Sequence, residues 1–407
     1  MSRPPHRRLG ETISRLHASG RGWSVAAVAL GWFLVVGTML TLPAVLPRIK
    51  TEFGLTNAEA GLGVTVLWLV YGACQFPAGL LTDRLGERRM LLAGMAVGAL
   101  TTAGFALAPN FVAFVATCGV FGVVGGLFAT PRVTLISRLF PDRSGTAIGA
   151  VMSFGNVGAA SLPVVVGLIA AAAGWRYGFG VEIPLFLVAF AALWFAIPAR
   201  RPAAADADRQ GIRALLPRVL AQLKTREVLL TTAGVTLTFF TFQGMTAFLT
   251  TYLVTEKAVD ERTAALLYGG LFTVAAIAQP LAGRISDQTN ERIVLVSITG
   301  VYAVLLVALV VTGEFLFLAA TVLLLGTQRG GTPVATAYLA AALPEDVRGG
   351  GYGLLRTVFT TVSSMAAVVV GLLADGGQFD TAFLLLAGLA ALATCCYLVL
   401  PRPSAAR

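Results

Sequence analysis

The sequence predicts an all-α polytopic membrane protein, with twelve transmembrane helices built as two parallel six-helix bundles. Three observations carry that prediction. Of the 407 residues, 57% are hydrophobic and 12% charged, about half the charged share of an ordinary soluble domain. The apolar residues fall in blocks of about twenty, the length a helix needs to cross a bilayer core. The chain also repeats itself at about half its length.

Twelve apolar blocks follow one another. Backbone amides in lipid find no water, so each is predicted helical. A cytosolic tail, 1–22, leads into span 1 at about 23–46. That span is too long for a signal-peptide core and shows no small-residue cleavage site after it, so it is expected to remain as an anchor. Span 2 (58–81) carries Tyr71 and Gln75, and span 3 (90–108) begins just after a charged turn. Span 4 (111–136) holds Arg132, span 5 (146–173) is glycine-rich, and span 6 (181–197) completes a first bundle, 23–198. The linker 199–226 contains "RPAAADADRQ", which has no apolar period. A second bundle, 227–400, holds spans at 228–254, 263–285, 293–311, 315–343, 352–374 and 379–400, before a tail at 401–407.

The net charge of +10 would suggest nucleic acid in a soluble chain, but its distribution points to the bilayer. With the N-terminus in the cytosol, the tails and even-numbered turns hold 22 of the 30 Lys and Arg residues. The outer loops hold five: Arg48, Lys50, Arg176, Lys257 and Arg262. That asymmetry predicts a multi-pass protein of the cell membrane with both termini cytoplasmic. Cys74, Cys118, Cys395 and Cys396 all fall in spans, and His6 and His17 in the N-terminal tail. No disulfide framework, metal site or cofactor motif emerges.

Sliding the chain by 204 positions places Gln75, Ala78, Gly79, Asp83, Glu87 and Arg88 on Gln279, Ala282, Gly283, Asp287, Glu291 and Arg292. "VVVGL" at 164–168 falls on "VVVGL" at 368–372. Six spans per half is an even number, so the halves face the same way, and their seam is where a binding site is expected. The turn itself reads Gly79-x-x-x-Asp83-Arg84-x-Gly86-x-Arg88-Arg89. It resembles, at every position, the signature loop between helices 2 and 3 of the major facilitator superfamily. The length, span count, central loop and duplication resemble that family along nearly the whole chain.

Asp83 ends span 2 at the inner face, where Arg348-Gly349-Gly350-Gly351 opens span 11. A carboxylate near such a helix start gains about 0.3–1 kcal/mol. The mirror arrangement sets Asp287 and Gly283 against span 5, which opens at Arg143-Ser144-Gly145. The resemblance implies a cytosolic latch made by these two carboxylates, favouring the outward-open state. Arg84, Arg88, Arg89 and Arg292 serve either that latch or simply the topology of the turns. The second loop departs from the pattern, with Gln288 and Asn290 where Arg84 and Gly86 stand.

None of the 20 acids reads as deep in a span; Glu59, Glu182 and Glu314 fall at outer ends. Three cations do lie inside: Arg132, Arg329 and Arg356. Intramembrane charge is costly and faces a cavity or a partner, so the expected partner is an anionic substrate, which guanidinium forks suit. Arg329 lies about 14 residues from either end of span 10, near the midplane. Its setting, "GTQRGGTP", can loosen the helix. Arg132 and Arg356 stand nearer the inner edge, where each can also snorkel. Tyr71, Gln75, Asn156, Gln243, Tyr268 and Gln328 are polar candidates to orient a ligand, or to join neighbouring helices. The resemblance implies that helices 1, 4, 7 and 10 line the cavity. The stretch "GTAIGAVMSFGNVG", 145–158, resembles locally the helix 5 signature of nitrate–nitrite porters, although helix 11 lacks the paired copy.

The function expected is secondary transport of a small, organic anion by alternating access, by a monomer in the lipid bilayer. With no deep acid to carry a proton, the expectation is anion exchange, uniport, or a coupling proton carried with the substrate. The alternative is a proton-coupled multidrug exporter. Against it, Pro163 stands alone in span 5, and the arginine common early in helix 4 of such exporters is absent near Cys118. A non-transporting sensor would carry a long signalling tail, and an enzyme a converging nucleophile, base or metal cluster; neither pattern is present.

Overall fold

Span 1 opens with Trp23 and continues helical through two prolines, ending only at Phe53. The computed structural model describes residues 22–141, 144–198, 225–343 and 348–400, and among them eleven helices are long and apolar enough to cross a membrane, with a twelfth span made of two shorter helices joined by a 3-10 turn. They are α1 (Gly22–Phe53), α2 (Asn57–Leu85), α3 (Glu87–Leu107), α4 (Phe111–Leu139), α5 (Ser144–Ala173) and α6 (Trp175–Ala196). The second set is α7 (Arg226–Thr255), α8 (Glu261–Gln288), α9 (Glu291–Val311) and then two broken spans. Span α10 comprises Phe315–Leu325 and Gly331–Ala341, joined by the 3-10 turn Gly326–Gly330. Span α11 comprises Arg348–Ser364 and Ala366–Asp375, and α12 is Phe379–Leu398. Most of the 199–226 linker, both tails, Arg143 and the side chain of Arg348 lie outside the described residues.

The break in α10 has a local cause. Pro333 has no N–H to offer the Arg329 carbonyl, and Gly326, Gly330 and Gly331 gain little from helical geometry. The repeat shows in the packing. In the first half α1 packs on α5, α2 on α4 and α3 on α6; in the second α7 packs on α11, α8 on α10 and α9 on α12. Between the halves α2 meets α11, α5 meets α8 and α1 meets α7.

Several cross-half bonds lie at the end of the bundle away from the start of α1 and the end of α12, here called the far end. Both carboxylate oxygens of Asp375, at the end of α11, accept from the start of α2: Asn57 N at 2.6 Å and Ala58 N at 2.8 Å. The helices touch closely here, since a Cβ on Gly371 would sit 2.6 Å from the Asn57 carbonyl oxygen. Arg48 pairs with Glu261, and Thr250 Oγ1 of α7 donates to the Pro43 carbonyl of α1 at 2.5 Å.

One expectation is overturned. Helix α6 begins at Trp175, six residues before the apolar block, because Trp175 is buried in an aromatic cluster with Phe53, Phe114 and Phe179. Arg176, which reads as a loop residue, is instead held by Glu52 and by the carbonyls of Ala106 and Ala108. Glu182 is therefore not at a helix end. It lies inside the bundle, with 0% of its surface exposed.

Candidate substrate cavity

Where the halves part, they enclose a cavity of about 340 Å³. Seven of the predicted residues line it: Tyr71, Arg132, Asn156, Gln243, Gln328, Arg329 and Arg356. Among the described residues no Asp or Glu does.

Arg329 projects from the 3-10 turn of α10, its guanidinium 5.2 Å from the centre of the Phe242 ring on α7. No described carboxylate pairs with it. Beside it, Gln328 is buried with both amide N and O lacking a protein partner, and Gln243 opposite has a free amide nitrogen. Buried polar atoms are ordinarily satisfied, so this corner of the wall has hydrogen-bonding capacity to spare.

Arg132 does not snorkel. It folds back over Trp32 of α1, 3.5 Å from the ring centre, and donates to the Ala129 carbonyl and to Met152 Sδ. A cation seated on an indole face keeps its charge while losing water, and only 4% of the residue is exposed. Arg356 and Tyr71 line the same cavity wall as Arg132 and Arg329. Tyr71 is held in turn by the edge of Trp68 at 5.5 Å.

Asn156 spans the seam: its Nδ2 donates to Gln279 Oε1 of α8 at 3.0 Å. Two candidates fall outside the cavity wall. Tyr268 is fully buried against Phe272. Gln75, one turn from Tyr71, lies in the α2–α4 seam, where Thr130 bonds to its carbonyl. Residues not singled out in the sequence also contribute, among them Trp32, Trp68, Phe242 and Gln279. Gln279 carried a readable signal, as the repeat mate of Gln75.

The charged turns divide in two. Gly86 joins α2 to α3 with φ of +83°, a region that favours glycine. The second copy solves the same turn with Asn290, whose side chain accepts from Arg292 N. Arg88 donates to the Trp194 carbonyl at 2.9 Å, at the end of α6; its mate Arg292 donates to the Leu398 carbonyl at the end of α12. These two arginines thus brace their own halves, because the turn points them back at the last helix of the same bundle. Asp83, Asp287, Arg84 and Arg89 are exposed, and no described residue bonds either carboxylate. A methyl group at Gly79 or Gly283 would meet no close contact.

The comparisons with known proteins agree with this architecture. The model of the Major Facilitator Superfamily matches residues 25–272 and 251–407. This chain belongs to the major facilitator superfamily. Its relatives in that superfamily include the hexuronate transporter of Bacillus subtilis, 25% identical over 88% of this chain and 89% of that protein. Another is the multidrug resistance protein MdtG of Yersinia enterocolitica, 24% identical over 74% of each. The transcription regulatory protein OpdE of Pseudomonas aeruginosa is 25% identical over 90% of each. A bacterial homologue of the human lysosomal transporter Spinster, solved inward-facing and unoccupied, shares the fold with a TM-score of 0.76 at 13% identity, over 93% of this chain and 96% of that one. As a superfamily member the chain is a multi-pass membrane transporter of small molecules, and not an enzyme.

Proposed function

We propose that this transporter carries a small organic anion by alternating access, and that the conformation described here is the inward-facing one. The single observation that carries the anion reading is the cavity wall: three guanidiniums and no facing carboxylate among the described residues. Like charges gathered in a low-dielectric cavity repel one another, and an entering anion relieves that repulsion. The free amides of Gln243 and Gln328 can orient a carboxylate or hydroxyl group, while Trp32, Trp68 and Phe242 suit a carbon skeleton. The likeness to a hexuronate transporter is in keeping with such a substrate.

For the direction of opening, the basic asymmetry of the turns assigns both termini to the cytosol, so the far end is the outer one. There the halves are bonded through Asp375, Arg48 and Thr250, the pattern expected with the outer gate shut. The working unit is a monomer in the cell membrane, driven by solute gradients.

The experiment is uptake into proteoliposomes of a panel of labelled sugar acids, dicarboxylates, phosphate esters and inorganic anions, comparing wild type with Arg329→Gln. The expected result is accumulation of an organic acid by wild type and its selective loss in the variant. Normal anion transport by the variant overturns the site. The likeness to MdtG and the aromatic wall favour one second reading, drug export; transport of cationic dyes, unaffected by Arg329→Gln, would establish it.

A further inference from the structure

Glu182 of α6 is fully buried, and it faces α1 rather than the substrate cavity. Thr38 Oγ1 donates to its Oε2 at 2.7 Å. Thr41 Oγ1 has one hydrogen within reach of two acceptors, the Gly37 carbonyl at 3.0 Å and Glu182 Oε1 at 3.5 Å. Oε1 thus has at most one long, shared donor, which leaves a carboxylate short of hydrogen bonds, whereas a carboxyl O–H there can itself donate to the Thr41 oxygen.

No described cation on the helices packed against it compensates. Helix α6 packs against α1, α3 and α5. The described charged groups on α1 are Arg48, Lys50 and Glu52; on α3 they are Glu87, Arg88 and Arg89; α5 has none, and α6 itself adds Arg176. All stand at helix ends. Arg48 is held by Glu261 and the Ala171 carbonyl, Lys50 by Asn57, and Arg176 by Glu52. Glu87 pairs with Arg138, Arg88 rests on Trp194, and Arg89 is exposed. Arg176 is six residues, about 9 Å of helix rise, from Glu182. An ionised carboxylate inside a membrane bundle with one firm hydrogen bond and no counter-charge is strongly disfavoured.

The same segment of α1 reaches the other half. Pro47 has no N–H for the Pro43 carbonyl, and that carbonyl instead accepts from Thr250 of α7 at 2.5 Å. Thr41 lies two residues from this joint, so the helix that carries both hydroxyls facing Glu182 is also the one bonded across the seam to α7.

We propose that Glu182 is the proton-binding site of the transport cycle. It is protonated while the far end is closed, and releases that proton to water when α1 parts from α7. The reaction is a simple exchange of one proton between carboxyl and solvent, with no other reactant. The coupling ion of this carrier is then a proton held by the protein itself, separate from the cargo and from the arginine cavity. The inference rests on the alternating-access reading, but not on the nature of the substrate.

The test needs no substrate. Full-length protein in liposomes is titrated from mildly acidic to mildly alkaline pH. The infrared C=O band of protonated carboxyl groups is followed together with the distance between spin labels on the two far-end turns, α1–α2 and α7–α8. The expected result is a carboxyl band that fades as pH rises, in step with far-end opening. In Glu182→Gln both the band and the pH response vanish, and the far end stays closed at every pH. Thr38→Val keeps the carboxyl but removes its donor, so the band shifts to higher frequency; this identifies the group even if Glu182→Gln fails to fold. A Glu182 band that persists unchanged while the far end opens, the absence of any such band, or opening that still follows pH in Glu182→Gln would each overturn the proposal. Because anion uptake is not read, failure here is distinguishable from failure of the Arg329→Gln experiment.

Discussion

Replacing Asp375 with alanine isolates one gate contact. The first turn of α2 has four backbone donors to satisfy. Thr56 and Glu59 cap two of them reciprocally, Thr56 Oγ1 taking Glu59 N and the Glu59 carboxylate taking Thr56 N. The other two, Asn57 N and Ala58 N, are taken by Asp375 from the opposite half. These two bonds join the two halves at the far end, so their loss is expected to act on the conformational equilibrium rather than on the bundle as a whole. Loss of a cap costs about 1 kcal/mol, and Asp375 is exposed enough that nothing larger is expected. One kcal/mol multiplies the ratio of far-end-open to far-end-closed molecules about fivefold. The assay is pulsed electron–electron resonance in liposomes, with labels on the α1–α2 and α7–α8 turns and the areas of the long and short distance populations compared. Asp375→Asn, which retains one acceptor oxygen, should fall between wild type and alanine. An unchanged distance distribution in Asp375→Ala would refute the gate assignment.

Two further substitutions act on the same equilibrium. Asp83→Asn removes a carboxylate expected to latch the opposite end, so it should move the distribution the other way, towards the short far-end distance, by a similar factor. Equal shifts of the same sign in Asp83→Asn and Asp375→Ala would contradict alternating latches. Gly371→Val places a side chain where Cβ alone would lie 2.6 Å from the Asn57 carbonyl oxygen. It should eliminate the short-distance population while leaving helical content by circular dichroism intact, and a normal short-distance population would show that the two helices are not pressed together.

Several features could be read from residues in order. Hydropathy is a local property, so the twelve spans and their polar turns need no knowledge of packing. The repeat is legible because Asp83 and Asp287 stand at equal registers. Arg329 is legible for a related reason: a guanidinium about fourteen residues from either end of an apolar block has no short route to water. Even the loosening of α10 follows from Pro333 and its glycines. Other residues gave misleading signals. Gln75 and Tyr268 look like Gln243 and Tyr71 in sequence, yet helix rotation places the first pair in seams and the second at the cavity.

What the chain order determined by itself was therefore fold class, the succession of apolar spans and an excess of buried positive charge. Only the tertiary structure decided where the halves touch, because Asp375 is 318 residues from Asn57 and Gln279 is 123 from Asn156. It also decided that Glu182 is interior, since an aromatic cluster drawn from α1, α4 and α6 extends that helix past the point where hydropathy ends it. Composition records what a segment dissolves in. Which carboxylate meets a helix start, and which is shut away from water, depends on neighbours that arrive from distant parts of the chain.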